Sequence, residues 1–463
     1  MPGRPRPSKG NLPKASSSPA AMDAPIHEVS PWTVFLNRRR ILKDPLPFHH
    51  ENFQRHGDTF RVRITPNTRV VFTRDPEIVR HVLQKNHRNY AKSELQTRDL
   101  AKYIGHGILT SEGESWKQHR KMIQPAFHRE KLRELLGLMY QAIQEELSGI
   151  PEGAVLDIFP RMSDLAFQVV ARTLFSAGDL RRDMKQLQEI TEINQRMLIR
   201  EMRQPYLGWW FRASGRIGRH LKLAGDARAL LDRLIGIRVS SGGRQGDLLD
   251  MLLEARYEDG TPMSRRQLID EVLILFTAGH ETTANALSFV LFLLARHPEI
   301  QERAHQSVAG LDFEGGDLMK LIGELGYVQQ CVEEAMRLYP PVYVIDRVSL
   351  KEEELRGNLY PAGTTWLLSL YELHRHPDLW ENSDSFQPER FEREMKKQYS
   401  GFYFPFGAGP RMCIGNNFAM YEMLLAVASL LSRYRIRTPM ESLEVNPLIS
   451  LKPGRVLLEF EGR

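Results

Sequence analysis

Cys413 lies in the run Phe406-Gly407-Ala408-Gly409-Pro410-Arg411-Met412-Cys413-Ile414-Gly415, just before an apolar stretch that starts at Asn416. A tight turn of glycine and proline presents one sulfur. The chain has only one other cysteine, Cys331, far away in the sequence. A structural zinc site takes four ligands at close spacing and an iron–sulfur cluster takes several cysteines. One sulfur in such a turn suits the axial position of haem iron, where thiolate pushes electron density toward O–O cleavage. Each neighbour has a matching use. The glycines allow close backbone approach, and Pro410 stiffens the loop. The start of the next helix places N–H groups near an anionic sulfur. Arg411 offers a permanent cation to a haem propionate, and Phe406 can shield the sulfur from water. The competing reading is a structural cysteine in a glycine-rich turn.

A second constellation is Ala278-Gly279-His280-Glu281-Thr282-Thr283. Glycine inside a helix weakens it by about 1 kcal/mol relative to alanine, a cost that makes sense where a ligand approaches the backbone. Thr282 can bond back to a carbonyl and locally open the helix. The expected result is a groove with a hydroxyl and a carboxylate beside it, able to deliver protons to bound dioxygen. A polar patch where the helix meets solvent is the alternative. His280 reads as packing, not as a metal ligand.

Helical periodicity dominates the chain that must hold these groups. Helices are expected at 76–85, 112–123, 129–147, 159–175, 183–200, 215–240, 246–255, 265–296, 299–308, 326–338 and 416–432. Strands are expected at 59–64, 69–73, 364–369 and 456–460, the first two as a hairpin. The fold class is therefore mainly α with a minor β part. The apolar segment 272–294 is long enough to suggest a membrane span, but Glu281 sits in its middle. Charge there is costly, so a buried central helix fits better.

The chain has 463 residues, with 63 Lys and Arg against 57 Asp and Glu. The two signs are interleaved, which speaks against a nucleic-acid partner. Two unmatched cysteines give no disulfide framework and fit a reducing, cytoplasmic setting. Residues 1–30 are basic and rich in Pro and Ser, and residues 1–25 lack an apolar run of signal-peptide or anchor length. They are expected to be a disordered tail, with 31–463 as one domain. Gly208-Trp209-Trp210-Phe211-Arg212 sets aromatics beside base. Two readings stay open: rings packed between helices, or a weak contact with a membrane surface.

The Cys413 run matches F-x-x-G-x-R-x-C-x-G and resembles the haem-binding signature of the cytochrome P-450 family. Four further motifs follow the family's order: Trp116-x-x-x-Arg120, the Glu281-Thr282 acid–alcohol pair, Glu334-x-x-Arg337, and Pro388-Glu389-Arg390-Phe391. The resemblance covers about residues 40–460 and implies the family's fold, with a long central helix over haem b and small peripheral sheets. It implies that Glu334, Arg337 and Arg390 form a buried charge trio supporting the Cys413 loop. It also implies that Trp116, Arg120 and Arg347 hold haem propionates, with Ala278 and Gly279 beside the haem.

The implied reaction is monooxygenation, with Cys413 as axial ligand to iron and Thr282 and Glu281 as catalytic proton carriers. The expected substrate is a lipophilic small molecule of fatty-acid, terpenoid, carotenoid, steroid or polyketide type. Its pocket would include Val342, Val344 and Leu448, and segments 93–107 and 200–214 would form a variable lid. No flavin or nicotinamide motif is present, so electrons are expected from a ferredoxin or flavodoxin with its reductase. Lys396, Lys397, Arg390 and Arg393 are candidates for docking that acidic partner. A monomer of the soluble bacterial type is expected. A peroxide-driven enzyme, an atypical member that couples or isomerises, and a haem sensor are the rival readings.

Overall fold

The structure, a computed structural model, describes residues 26–65, 68–176, 181–313 and 315–463. The expected tail up to residue 25 lies outside the described residues. Its expected end at residue 30 is corrected. Glu28–Val29 (β1) pairs in parallel with Arg61 and Val62, and Val29 is buried. A strand of two residues is too short to show periodicity in sequence.

Helices supply the frame. They include α1 (Gly113–Ile123), α2 (Arg129–Leu147), α3 (Ile158–Phe175), α4 (Arg181–Arg203), α5 (Arg216–Ser241), α6 (Arg265–Arg296), α7 (Gly326–Leu338) and α8 (Asn416–Arg433). All start and stop within three residues of the boundaries read from periodicity. The central helix α6 has 32 residues, about 48 Å at ~1.5 Å per residue. Ser264 caps it by accepting the N–H of Gln267 at 3.2 Å, which satisfies a donor that the first turn would otherwise leave free. It packs on α3, α5, α7 and α8.

Between Leu268 and Ala295 every residue of α6 is buried except Leu275, Ala278, Gly279, Glu281 and Thr282. Positions 275, 278, 279 and 282 follow the i, i+3, i+4, i+7 rule and share one face. One stripe of an otherwise buried helix therefore has accessible surface, at mid-length. The helix stays continuous there, so the expected local opening at Thr282 does not occur. The Thr282 hydroxyl does donate back to the Ala278 carbonyl, at 2.9 Å.

The main sheet adds β2 (Thr59–Thr65), β3 (Thr68–Thr73), β4 (Tyr90–Ala91), β5 (Val344–Ser349) and β6 (Thr365–Ser369) to β1, in the order β1-β2-β3-β6-β5-β4. β2 and β3 form the expected hairpin, with Phe60 opposite Phe72. β5 runs antiparallel to β6, with Arg347 opposite Trp366. Alternation along β5 sends Ile345 and Arg347 to the same face. The helix Pro31–Lys43 was not legible, because none of its residues is buried and burial is what creates the periodic signal.

Candidate active site

The Cys413 turn is held from three sides. The Cys413 N–H donates to the Phe406 carbonyl at 2.9 Å, and the Gly407 N–H to the Phe404 carbonyl at 2.9 Å. Gly409 has φ +70°, and a Cβ on it would meet the Leu83 carbonyl oxygen at 2.0 Å. Only glycine fits both the left-handed backbone and that contact. The Phe404 N–H donates to Nε2 of buried His374 at 3.0 Å. Burial, and then the charges of Arg337 and Arg375, push this imidazole down to about 3. It stays neutral and can accept.

The His374 carbonyl in turn accepts from Arg337 at 2.8 Å, which links the turn to the charge trio. Glu334 and Arg337 meet at 2.7 and 2.8 Å. Arg390 approaches Glu334 at 3.3 Å, and all three are buried. The structure thus brings the three together, and remaining donors go to carbonyls of Ser383, Ser385 and Asn382.

Cys413 has accessible surface, yet protein surrounds it closely enough that burial pushes its thiol up. The Gly415 N–H and the Arg120 charge pull it down without winning. The Gly415 N–H thus acts in the direction expected of the helix start, but desolvation of the thiol is the larger cause. A sulfur with accessible surface can take a ligand from outside the chain.

Beside the turn, cations outnumber acids. Arg411 pairs with Glu112 and lies 4.3 Å over the Trp116 ring, while its Nη1 is buried without a partner. Arg120 donates to the Met412 carbonyl at 2.7 Å. Arg347 is buried and donates to the Asp346 carbonyl at 2.7 Å. Burial and the nearby Arg411 lower its pKa, although Asp346 opposes them. Lys92, absent from the sequence reading, completes the set. Its Nζ donates to the carbonyls of Ile108, Leu109 and Ser111, and burial first, then Arg411, push it down to about 7. Among the described residues, Arg120, Arg347 and Arg411 outnumber the acids beside them, Glu112 and Asp346. The orphaned Nη1 and this surplus fit a dianionic group such as the two propionates of haem.

On α6, Glu281 Oε1 accepts from the Ser450 hydroxyl at 2.6 Å, and Ser450 Oγ accepts from Asn285 at 3.0 Å. Glu281 also lines a small surface cleft with Glu192, Gln195, Arg196, Ile199, Leu448, Ile449 and Lys452. Leu448 is the one residue it shares with the expected substrate pocket, and most of its other side chains are charged or polar. A Cβ on Gly279 would press on Val170 of α3 at 3.1 Å, so the glycine serves helix packing. His280 packs as expected, buried against Phe167 and Phe276.

Two further expectations change. Arg390 belongs to the trio and cannot dock a partner, and Lys396 is paired with Glu333 at 2.6 Å. Trp209 and Trp210 do not pack between helices. Trp209 is 67% exposed, while Phe211 is the ring that is buried. Lys92, Glu112, Ser450 and Asn285 were missed because their contacts are distant in sequence. Glu112, one turn before Trp116, and Asn285, one turn after Glu281, each lie on the same helix face as a recognised residue.

Comparison with known proteins agrees with this geometry. A cytochrome P450 family model matches residues 27–460. Cyclooctat-9-en-7-ol 5-monooxygenase of Streptomyces melanosporofaciens is 34% identical over 397 residues, 82% of this chain and 83% of that protein. Cyclooctatin synthase of the same organism is 31% identical and covers 94% and 96%. Human cytochrome P450 4A11 is 32% identical and covers 78% and 73%. The crystal structure of the cytochrome P450DA heme domain superposes with a TM-score of 0.83 at 23% identity, over 95% of this chain and 98% of that one, which speaks to the fold. An accessible sulfur in a glycine-rich turn beside three arginines has an explanation in these relatives: the chain belongs to the cytochrome P450 family and is a haem-dependent monooxygenase.

Proposed function

We propose that Cys413 is the axial haem ligand and that Arg120, Arg347 and Arg411, with Trp116 and Lys92 around them, hold the propionates. The observation that carries this reading is the accessible Cys413 sulfur in a turn beside Arg120, Arg347 and Arg411, of which Arg347 is buried and Arg411 keeps one buried nitrogen without a partner. Bound there, haem b supplies activation of O2, one atom of which enters a C–H or C=C bond while the other leaves as water. The chain's own residues handle protons and substrate. Thr282 presents a hydroxyl on the accessible stripe of α6. Glu281 reaches the cleft and Ser450 at once, so it can carry protons from the cleft toward that stripe. This pair favours the O2 route over a peroxide-driven one.

The substrate is a lipophilic molecule with a polar group. Leu448 and Ile449 offer apolar surface, whereas Gln195, Arg196 and Lys452 offer polar contacts in the same cleft. The relative named for cyclooctat-9-en-7-ol acts, by that name, on a cyclic alcohol, a lipophilic molecule with one polar group. Electrons come from a ferredoxin or flavodoxin, with Lys397 and Arg393 left exposed for docking. The test is absorption of the reduced protein reconstituted with hemin under carbon monoxide. The red-displaced band of sulfur ligation is expected, and Cys413→Ser should abolish it. A band unchanged by the substitution sinks the assignment.

Aromatic exposure supports a membrane-surface contact. Trp32, Phe35 and Leu36 form an exposed i, i+3, i+4 stripe on Pro31–Lys43, followed by Arg38, Arg39, Arg40 and Lys43. Arg203 joins this helix to the Trp209 region by donating to the Leu42 carbonyl at 2.8 Å. Aromatic faces beside base suit an anionic lipid surface. Among the described residues no helix is long and apolar enough to cross a membrane. Flotation with phosphatidylglycerol-containing vesicles, but not with pure phosphatidylcholine, is expected. Protein left entirely in the soluble fraction removes the contact.

A further inference from the structure

Two adjacent acids on α6, Asp270 and Glu271, are buried, and no proton or haem role accounts for them. Both meet one short segment, residues 105–111. The His106 N–H donates to Asp270 Oδ2 at 3.0 Å, and the Ile108 N–H donates to Glu271 Oε2 at 3.0 Å. Gln267, one turn before Glu271, donates to Glu271 Oε1 at 2.8 Å and to the His106 carbonyl at 3.2 Å. Arg228 of α5 donates to Asp270 Oδ1 at 3.1 Å.

The fit leaves no room. A Cβ on Gly105 would sit 2.3 Å from Asp270 Oδ1, and one on Gly107 would sit 2.6 Å from Glu271 Oε2. Two glycines in three residues are thus accounted for by two carboxylates. The segment ties to itself as well: Thr110 Oγ1 donates to the Gly105 carbonyl at 2.7 Å and accepts the Gly107 N–H at 3.0 Å. Just before it, Leu95–Leu100 forms a π-helix, a rare geometry that concentrates at functional sites.

Position explains why such a device matters. Glu271 stands seven residues before Ala278, two turns along the same face of α6. The segment therefore lies at the upstream end of the accessible stripe. We propose that Asp270 and Glu271 are positioning residues that clasp segment 105–111 onto α6, and that release of this clasp opens the groove beside Ala278 and Thr282 to substrate. The clasp is built from amide-to-carboxylate bonds, which break and reform without moving α6. No cationic side chain ion-pairs with Glu271 among the described residues apart from the imidazole of His119, whose Nδ1 lies 3.2 Å from Oε1 without a hydrogen bond.

Hydrogen exchange of the haem-loaded protein tests the clasp directly. In the unmodified chain the His106 and Ile108 amides should exchange at least ~10-fold more slowly than that of Leu109, which makes no such bond. Glu271→Met, which removes the acceptor, and Gly107→Ala, which keeps it but crowds it, should each speed exchange of the Ile108 amide by ~10-fold or more. The carbon-monoxide band should be unchanged. Ligand entry, read as the rate of the spin-state change on adding a lipophilic compound, should rise by a similar factor in both variants. The rate measurement rests on the haem monooxygenase reading, whereas the exchange measurement does not, so the two fail separately. Should the Ile108 amide exchange as fast as Leu109 in the unmodified chain, or should both variants leave it protected, the clasp is overturned. Protected amides with faster exchange in the variants but no change in entry rate overturn the gating role alone.

Discussion

The Cys413 side and the Glu281 side of the molecule both bury charge, yet they treat it in opposite ways. Behind Cys413, Glu334 is matched by two guanidiniums, and their spare donors are spent on carbonyls. On the other side, Glu271 and Glu281 meet amides, a hydroxyl and an imidazole. Burial pushes Glu271 up to about 7, within reach of an ordinary change in pH. Matched charge fixes geometry, because breaking it strands a charge in low dielectric. Carboxylates held by neutral groups can take up or lose a proton at far lower cost. The difference teaches which side holds the thiolate still and which side is free to move protons and a loop.

The largest expected effect comes from breaking the matched side. Arg337→Met leaves Glu334 facing only Arg390 and frees the carbonyls of His374, Ser383 and Ser385. A loss of about 3–5 kcal/mol is expected for removing one partner of a buried pair. Urea denaturation of the reconstituted protein measures it, with haem release at lower denaturant than in the unmodified chain. Converting Glu334 and Arg337 together to apolar residues of similar size should cost less than Arg337→Met alone. If the double change costs more, packing and not charge matching holds the Cys413 loop.

Much of this contrast was legible in the sequence. The Cys413 turn, the E-x-x-R pair and the Glu281-Thr282 pair are local patterns, and a local pattern survives in a linear string. Helix boundaries were legible because α2, α3 and α6 each bury a face. The clasp was not, because Gly105 and Gly107 meet Asp270 and Glu271 across more than 160 positions. Nor was the surplus of cations, since Lys92 acts through carbonyls that carry no residue identity. Gly279 has a use the string did not show: it lets Val170 of α3 pack closely on α6. The exposure of Trp209 and Trp210 was likewise invisible, because an aromatic pair looks the same in a string whether its rings are packed or bare.

A smaller effect, on rate and not on stability, should come from the unmatched side. Glu281→Gln keeps the shape of the side chain and an oxygen that can accept from Ser450, but it removes the exchangeable acid. If Glu281 relays protons, turnover with a surrogate ferredoxin system should fall about 10²-fold, the lower range for loss of a positioned acid or base. Thermal stability and the spin-state titration should stay as they were, because no buried ion pair is broken and the cleft keeps its lining. A purely structural Glu281 makes the reverse forecast: Gln would serve nearly as well in the bond from Ser450, and turnover would stay within about twofold. The contrast between the two sides therefore turns on one oxygen-for-nitrogen exchange at position 281. A large rate loss in a protein of unchanged stability marks this side as chemical, just as a large stability loss at Arg337 marks the other as structural.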